Sequence, residues 1–195
     1  MRRFYPLLIV ILLFSAFTLS AQDTRHFNSL TTGIGFGYSE GKQESGFGLV
    51  YEIGYQRSFG RSNRFRFNPN LQYGGFLPFA TTDMPDQLYR LSTLALDLHY
   101  DLARFKSLSL VTTPGIFGSY SRGLTGTGGM NGISSSEYFQ SFYFGGKFSL
   151  GIRISKSIKR LAYEIRPLNI HFGSKYFLYN SIMFKVHIKL DSLEN

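Results

Sequence analysis

The sequence predicts an all-β protein, an eight-stranded antiparallel up-and-down transmembrane β-barrel. Three observations carry that prediction. Apolar and polar residues alternate with period two through eight segments, which is the signature of strands with one greasy and one polar face. The segments run about ten residues or more, where soluble strands run about five to six and bilayer-crossing strands need roughly nine to eleven. The greasy faces together carry about forty large side chains, whereas a closed eight-stranded barrel packs only about a dozen in its interior. The greasy faces therefore point outward to lipid and the polar faces line the lumen.

Each element follows from its own alternation. In "LTTGIGFGYS", Leu30, Ile34, Phe36 and Tyr38 oppose Gly33, Gly35 and Gly37. In "FGLVYEIGY", Phe47, Leu49, Tyr51, Ile53 and Tyr55 oppose Gly48, Glu52 and Gly54. "RFRFNPNLQYGG" sets Phe65, Phe67, Leu71 and Tyr73 against Arg66, Asn68, Asn70 and Gln72. "STLALDLHYDL" sets Leu94, Leu96, Leu98, Tyr100 and Leu102 against Asp97, His99 and Asp101. "SLSLVTTPGIFGSY" alternates least cleanly, through Leu108, Leu110, Ile116 and Tyr120. "SFYFGGKFSLGIRI" sets Phe142, Phe144, Phe148, Leu150 and Ile152 against Lys147 and Arg153. "LAYEIRPLNIHF" sets Leu161, Tyr163 and Ile165 against Glu164 and Arg166. After Pro167 its parity flips to Leu168 and Ile170, as a bulge at a proline would produce. "SIMFKVHIKL" closes the series with Ile182, Phe184, Val186, Ile188 and Leu190 against Ser181, Met183, Lys185, His187 and Lys189.

The polar faces combine Glu52, Asp97 and Glu164 with Arg66, His99, Lys147, Arg153, Arg166, Lys185, His187 and Lys189, a predicted lumen charge network. On the lipid face at mid-depth, Arg or Lys would cost about 2–4 kcal/mol each, whereas in a lumen opposite charges can pair. Closure of the barrel is expected to set Gly33, Gly35 and Gly37 beside Lys185, His187 and Lys189, the small residues leaving room for the long ones.

The connections alternate as well. "GRSNR", "ARFKS" and "SKSIKR" are short turns. "LPFATTDMPDQL" and "RGLTGTGGMNGISSSE" are longer, and the second, rich in Gly and Ser, reads as a mobile loop. With the first strand rising from the periplasm, the short turns fall inside and the long loops outside, the usual asymmetry of membrane barrels. Two aromatic girdles then emerge, Tyr38, Tyr73 and Tyr120 near the outer rim and Tyr55, Tyr100 and Tyr163 near the inner rim. Arg61, Arg64, Arg104, Lys106, Lys156, Lys159 and Arg160 gather in the periplasmic turns, where each is worth roughly 1 kcal/mol beside an anionic surface.

Residues 1–21 read as a signal peptide. Arg2 and Arg3 precede the apolar run "FYPLLIVILLF", and cleavage is expected after Ala21, leaving the barrel domain at 22–195. The chain has no cysteine, which excludes disulfides and a lipidated N-terminus. Its net charge of +9 would suit nucleic acid, but export and the placement of the charges argue against that partner.

Catalytic chemistry finds little support. His99, His171 and His187 could share the lumen with Asp97 and Asp101, but no serine stands in a nucleophile-elbow context. There is no "HExxH" pattern, and "GTGG" lacks the Lys-Ser/Thr of a phosphate loop, so no catalytic residue, metal or cofactor is predicted.

The signal segment ending in "AQ", with strands such as "RFNPNLQYGG" and "LDLHYDL", resembles the small outer-membrane β-barrels of Gram-negative bacteria. The nearest type is the OmpA/OmpX-like barrel, in the porT-like form of the Bacteroidota. One departure is the ending "KLDSLEN", which lacks the terminal aromatic residue of such barrels. The resemblance implies an outer-membrane protein, not an enzyme, with a structural or interaction role: membrane integrity, adhesion, or support of a secretion or assembly complex. Its partners would be outer-membrane lipid and possible envelope proteins met through loops 78–89 and 122–137, with the barrel itself a monomer. The rival readings are a membrane-embedded lipid-modifying hydrolase and a soluble lipocalin-like barrel with its apolar residues inside.

Overall fold

The computed structural model describes residues 28–60, 62–78, 88–130, 133–156 and 160–190. The predicted signal segment, Arg61, Lys159, residues 79–87 of the first long connection and residues 191–195 lie outside the described residues. Eight strands follow in order: β1 (Asn28–Glu40), β2 (Ser45–Phe59), β3 (Phe65–Pro78), β4 (Tyr89–Phe105), β5 (Leu108–Met130), β6 (Ile133–Ser155), β7 (Leu161–Gly173) and β8 (Leu178–Lys189). Each pairs antiparallel with its sequence neighbour, and β1 pairs with β8 to close the barrel.

Period-two alternation decides which side of the wall each residue faces, and the partition is the inverse of a soluble core. Forty large hydrophobic side chains are exposed among the described residues, from Leu30 to Leu190, against thirteen buried hydrophobic ones. Among the same residues, thirty-one polar or charged ones are buried. An exterior of this extent is far larger than the apolar patches that water tolerates, and it is the surface of a membrane barrel. A lipocalin-like barrel would carry the opposite partition.

Local irregularities sit where the chemistry requires them. Between β6 and β7 the register shifts across Leu150 and Ile152, and between β7 and β8 across Arg166 and Ile170. Both shifts centre on Pro167, which has no N–H to give to a ladder. The β2–β3 turn is tightened by a bond from Asn63 N to Gly60 O (3.2 Å), with Gly60 at φ 82°.

Three expectations are corrected. The segment "RGLTGTGGMNGISSSE" is not a loop: β5 runs to Met130, β6 starts at Ile133, and their ladder continues through Gly126↔Ser136 to Met130↔Ile133. Glycine and serine depress strand propensity but leave pairing open to a strand held in register from below. Second, Gly35 and Gly37 lie beside Met183 and Ser181 rather than His187 and Lys189; only Gly33↔Lys185 pairs as anticipated. Antiparallel pairing carries β8 toward the short-turn rim after Lys185, so His187 meets Thr31 and Lys189 meets Ser29. Third, Arg104 is not a turn residue. It is the penultimate residue of β4, and the turn shrinks to Lys106 and Ser107.

Candidate functional site

The lower lumen, toward the short-turn rim, is a network of buried charges. Glu52, Arg66, Asp97, His99, Lys147, Arg153, Glu164, Arg166, Lys185, His187 and Lys189 are all buried. Lys147 Nζ donates to Asp97 at 3.0 Å, and Arg166 Nη1 lies 3.8 Å from the same carboxylate. Arg166 Nε donates to Glu164 Oε1 at 2.5 Å, while Glu164 Oε2 meets His187 Nε2 at 3.0 Å. Lys185 pairs with Glu52, which also accepts from Gln72 Nε2 at 2.9 Å. Arg66 pairs with Asp101, to which Arg104 Nε donates at 2.7 Å. Asp101 and Gln72 extend the predicted network.

Two of these ion pairs share a device. The ladder reads Lys185↔Gly33↔Glu52 on one side of the barrel and Asp97↔Gly115↔Lys147 on the other. In each, the charges stand on strands that are not neighbours, and a glycine occupies the strand between. A Cβ on Gly115 would lie 2.7 Å from Asp97 Oδ1 and 3.0 Å from Lys147 Cγ; one on Gly33 would lie 2.9 Å from Lys185 Cγ. The glycines clear the path along which each lysine reaches across two strand spacings, about 10 Å in all.

The upper lumen is different and was not foreseen. Val50, Phe76, Tyr89, Leu91, Ala95, Phe117, Phe139, Tyr143, Phe177 and Tyr179 form one buried cluster. Phe76 stacks on Tyr89 (5.2 Å) and Tyr143 on Phe177 (4.5 Å). Above it the β1–β2 turn is tied down: Tyr143 Oη donates to Glu44 Oε2 at 2.9 Å and accepts from Lys42 N at 3.1 Å. Tyr89 Oη and Ser39 Oγ are 2.8 Å apart. The signal was present in the parity. Tyr143 falls between Phe142 and Phe144, so an inward aromatic hides inside an aromatic run.

The three described histidines, His99, His171 and His187, are each held by different neighbours. His99 lies against Arg166 (3.2 Å), and His187 joins Gln56 Oε1 (2.8 Å) to Glu164. His171 is wedged between Phe117 and Tyr179, with neither ring nitrogen hydrogen-bonded. No serine is hydrogen-bonded to any of these imidazoles among the described contacts. Among the described residues, no three His, Asp or Glu side chains gather as a metal site.

On the exterior, Tyr73, Tyr120, Tyr55 and Tyr163 are exposed and Tyr38 and Tyr100 half-buried, all on the outward face. Tyr38 and Phe47 meet at the long-loop rim (5.1 Å), and Phe65 and Tyr100 at the short-turn rim (4.7 Å). Tyr51 stands mid-wall, where its hydroxyl accepts from Thr32 Oγ1 at 2.9 Å. Of the predicted basic turns, Arg64, Lys106, Lys156 and Arg160 sit at the short-turn end. Arg104, also there, is committed inward, donating to the carbonyls of Ser62 (2.8 Å) and Asn63 (2.5 Å).

No protein-family model and no curated protein sequence matches the chain. Solved structures do. Neisserial surface protein A (NspA) is 11% identical, with a TM-score of 0.59 over 84% of this chain and 97% of that one. Ail, the attachment invasion locus protein of Yersinia pestis, solved with the heparin analogue sucrose octasulfate, is 10% identical, with a TM-score of 0.53 over 85% and 99%. At such identity the likeness concerns architecture alone, and on that ground the chain has the fold of the small eight-stranded outer-membrane β-barrels.

Proposed function

We propose that this chain is an integral outer-membrane barrel with a structural and interaction role, carried by its long-loop rim rather than by its lumen. The observation that carries the reading is the β5–β6 hairpin. β5 pairs with β4 only up to Gly123, and β6 pairs with β7 only from Gly145 onward. Beyond those points the ladder between described residues runs between β5 and β6 alone, and their flanks carry only single bonds near the rim, Leu124 N to Leu88 O (3.2 Å), Phe144 N to Ser174 Oγ (3.3 Å) and Lys175 Nζ to Phe142 O (3.4 Å), so the hairpin rises above the barrel wall. Free strand edges are templates for adding a partner's strand, and exposed connections on a rigid scaffold are where binding concentrates. The lumen argues the other way for transport, because side chains fill an eight-stranded interior and here they are locked by ion pairs and an aromatic plug.

Export by a cleaved signal peptide, an outward-facing hairpin and a monomeric barrel in lipid complete the proposal. Support of a secretion or assembly complex, the role implied by the porT-like resemblance, is one form of that interaction, and adhesion is another. A photo-crosslinking amino acid at Tyr138, exposed on the hairpin, tests it in intact cells. The expected result is a discrete crosslinked macromolecule, absent when the reporter replaces Leu71 on the lipid face. No such adduct, together with steady ion conductance of the pure protein in a planar bilayer, would move the function into the lumen. Altered lipid A in cells lacking the protein would favour the hydrolase reading.

A further inference from the structure

We propose that the short-turn mouth of the lumen is a phosphate-binding site whose principal group is the Arg153 guanidinium. Arg153 is only 7% exposed, yet it makes no ion pair and no hydrogen bond with any described residue, and its Nε is buried without a partner. The carboxylates that could neutralise it are engaged. Glu164, its ladder neighbour, gives one oxygen to Arg166 and the other to His187. Asp101 is shared by Arg66 and Arg104. Neither carboxylate touches Arg153, on which they act only at a distance and against the like charges of Arg66 and Arg104, and Arg66 Nε is a second buried donor left unpaired.

Glu164 and Asp101 offset part of the Arg153 charge from a distance, but a buried guanidinium donor with no hydrogen-bond partner costs free energy that an entering anion would recover. The register shows where. Arg104, Ser109 and Arg153 lie side by side on β4, β5 and β6, which puts a half-buried hydroxyl next to the free guanidinium. The Arg153 fork, the Ser109 hydroxyl beside it in the ladder and the unpaired N–H of Arg66 supply three kinds of donor at this mouth. A tetrahedral oxyanion with two negative charges answers all three, and a planar monovalent carboxylate answers fewer. The phosphate could arrive free in solution or on the headgroup of a phospholipid in the leaflet that meets this rim.

The test uses the full chain folded in a maltoside detergent, which carries no phosphate. Inorganic phosphate is titrated against 31P line width, and native mass spectrometry follows the retention of phosphatidylglycerol added as mixed micelles. Saturable binding in either arm is expected, the first identifying a free anion and the second a headgroup. Arg153→Gln should weaken that binding by about tenfold or more, and Arg90→Gln on the outer wall should leave it unchanged. If Arg153→Gln does not fold, Arg153→Lys keeps the charge, loses the fork, and should weaken binding by about threefold or more. Equal binding by wild type and Arg153 variants, or no saturable binding in either arm, would overturn the proposal. So would binding that appears only after Asp191→Asn and Glu194→Gln, because the chain's own carboxylates would then be the occupant.

Discussion

At the scale of the residue, the lumen shows how glycine can serve an ion pair that it does not belong to. Gly33 and Gly115 lie between partners on flanking strands and join the ladder through their backbone alone, with no side chain in the way. Gly115→Val should therefore destabilise the barrel even though valine favours strands, because its methyl groups would occupy the path between Asp97 and Lys147. Gly118→Val, on the outward face of the same strand, should cost far less, since a Cβ there meets only the Phe142 ring at 3.3 Å. Urea unfolding of the two variants in detergent compares them, and equal midpoints would refute the device. Glu164 makes a sharper case. It holds Arg166 and His187 together, and removing one partner of a buried pair typically costs about 3–5 kcal/mol because the other charge is stranded. Glu164→Ala should lower the unfolding midpoint strongly, while Glu137→Ala, at an exposed site on β6, should barely move it. The parity of "LAYEIRP" was enough to point Glu164 inward. Arg166 follows from the same parity, two residues along the same face, but His187 was not legible as the second partner, because it lies on β8 and one sequence does not fix the stagger between strands.

At the scale of the element, strand existence was legible and strand length was not. All eight alternating segments are strands, and the proline-linked parity flip in β7 coincides with a register shift. Length was hidden where composition and pairing point different ways. "TGTGGMNGISSS" has no greasy face, because above the bilayer neither side of a hairpin needs one, so period two vanishes while the ladder continues. At about 3.3 Å per residue, a 23-residue strand reaches about 75 Å, far more than the ~25 Å apolar band of a membrane barrel requires. The surplus can leave the membrane on only one side, because the β4–β5 and β6–β7 turns fix the other end. A protease site inserted at Gly129 should therefore be cut in intact cells, leaving a barrel that remains folded. Removing residues 125–136 should leave folding intact too, since the ladder pairings of its described residues lie within the hairpin and shortening a connection changes closure cost by only about 0.6 kcal/mol per doubling. Cleavage only after the outer membrane is opened would invert the orientation and move the basic turns outside.

At the scale of the whole molecule, the fold is a sorting of side chains by two solvents, with a third region that neither solvent dictates. The lipid-facing half of the sorting was readable because forty exposed hydrophobic residues leave a dense periodic trace. The charged half was readable because charges recur on the opposite parity. The aromatic plug of Phe76, Tyr89, Phe117, Tyr143 and Tyr179 was not, because an inward aromatic has the same letter as an outward one, and only closure of the wall distinguishes them. The plug has a consequence for the whole barrel. Opening any seam exposes the charged lumen to lipid and the apolar exterior to water, and it separates an interior held by ion pairs at one end and stacked rings at the other. Closure by β1 and β8 leaves no edge within the barrel wall from which unfolding can start, so unfolding of the wall should be cooperative and slow. On a gel in dodecyl sulfate, unboiled protein should migrate as a compact species and boiled protein as the extended chain. The compact form should persist on warming until one sharp transition. A variant with proline at Ile34 and Phe184, on the facing strands of the closing seam, should lose that compact species, because proline cannot donate to the ladder. Identical migration of boiled and unboiled protein that circular dichroism shows to be folded would mean that the β1–β8 seam does not hold the barrel shut.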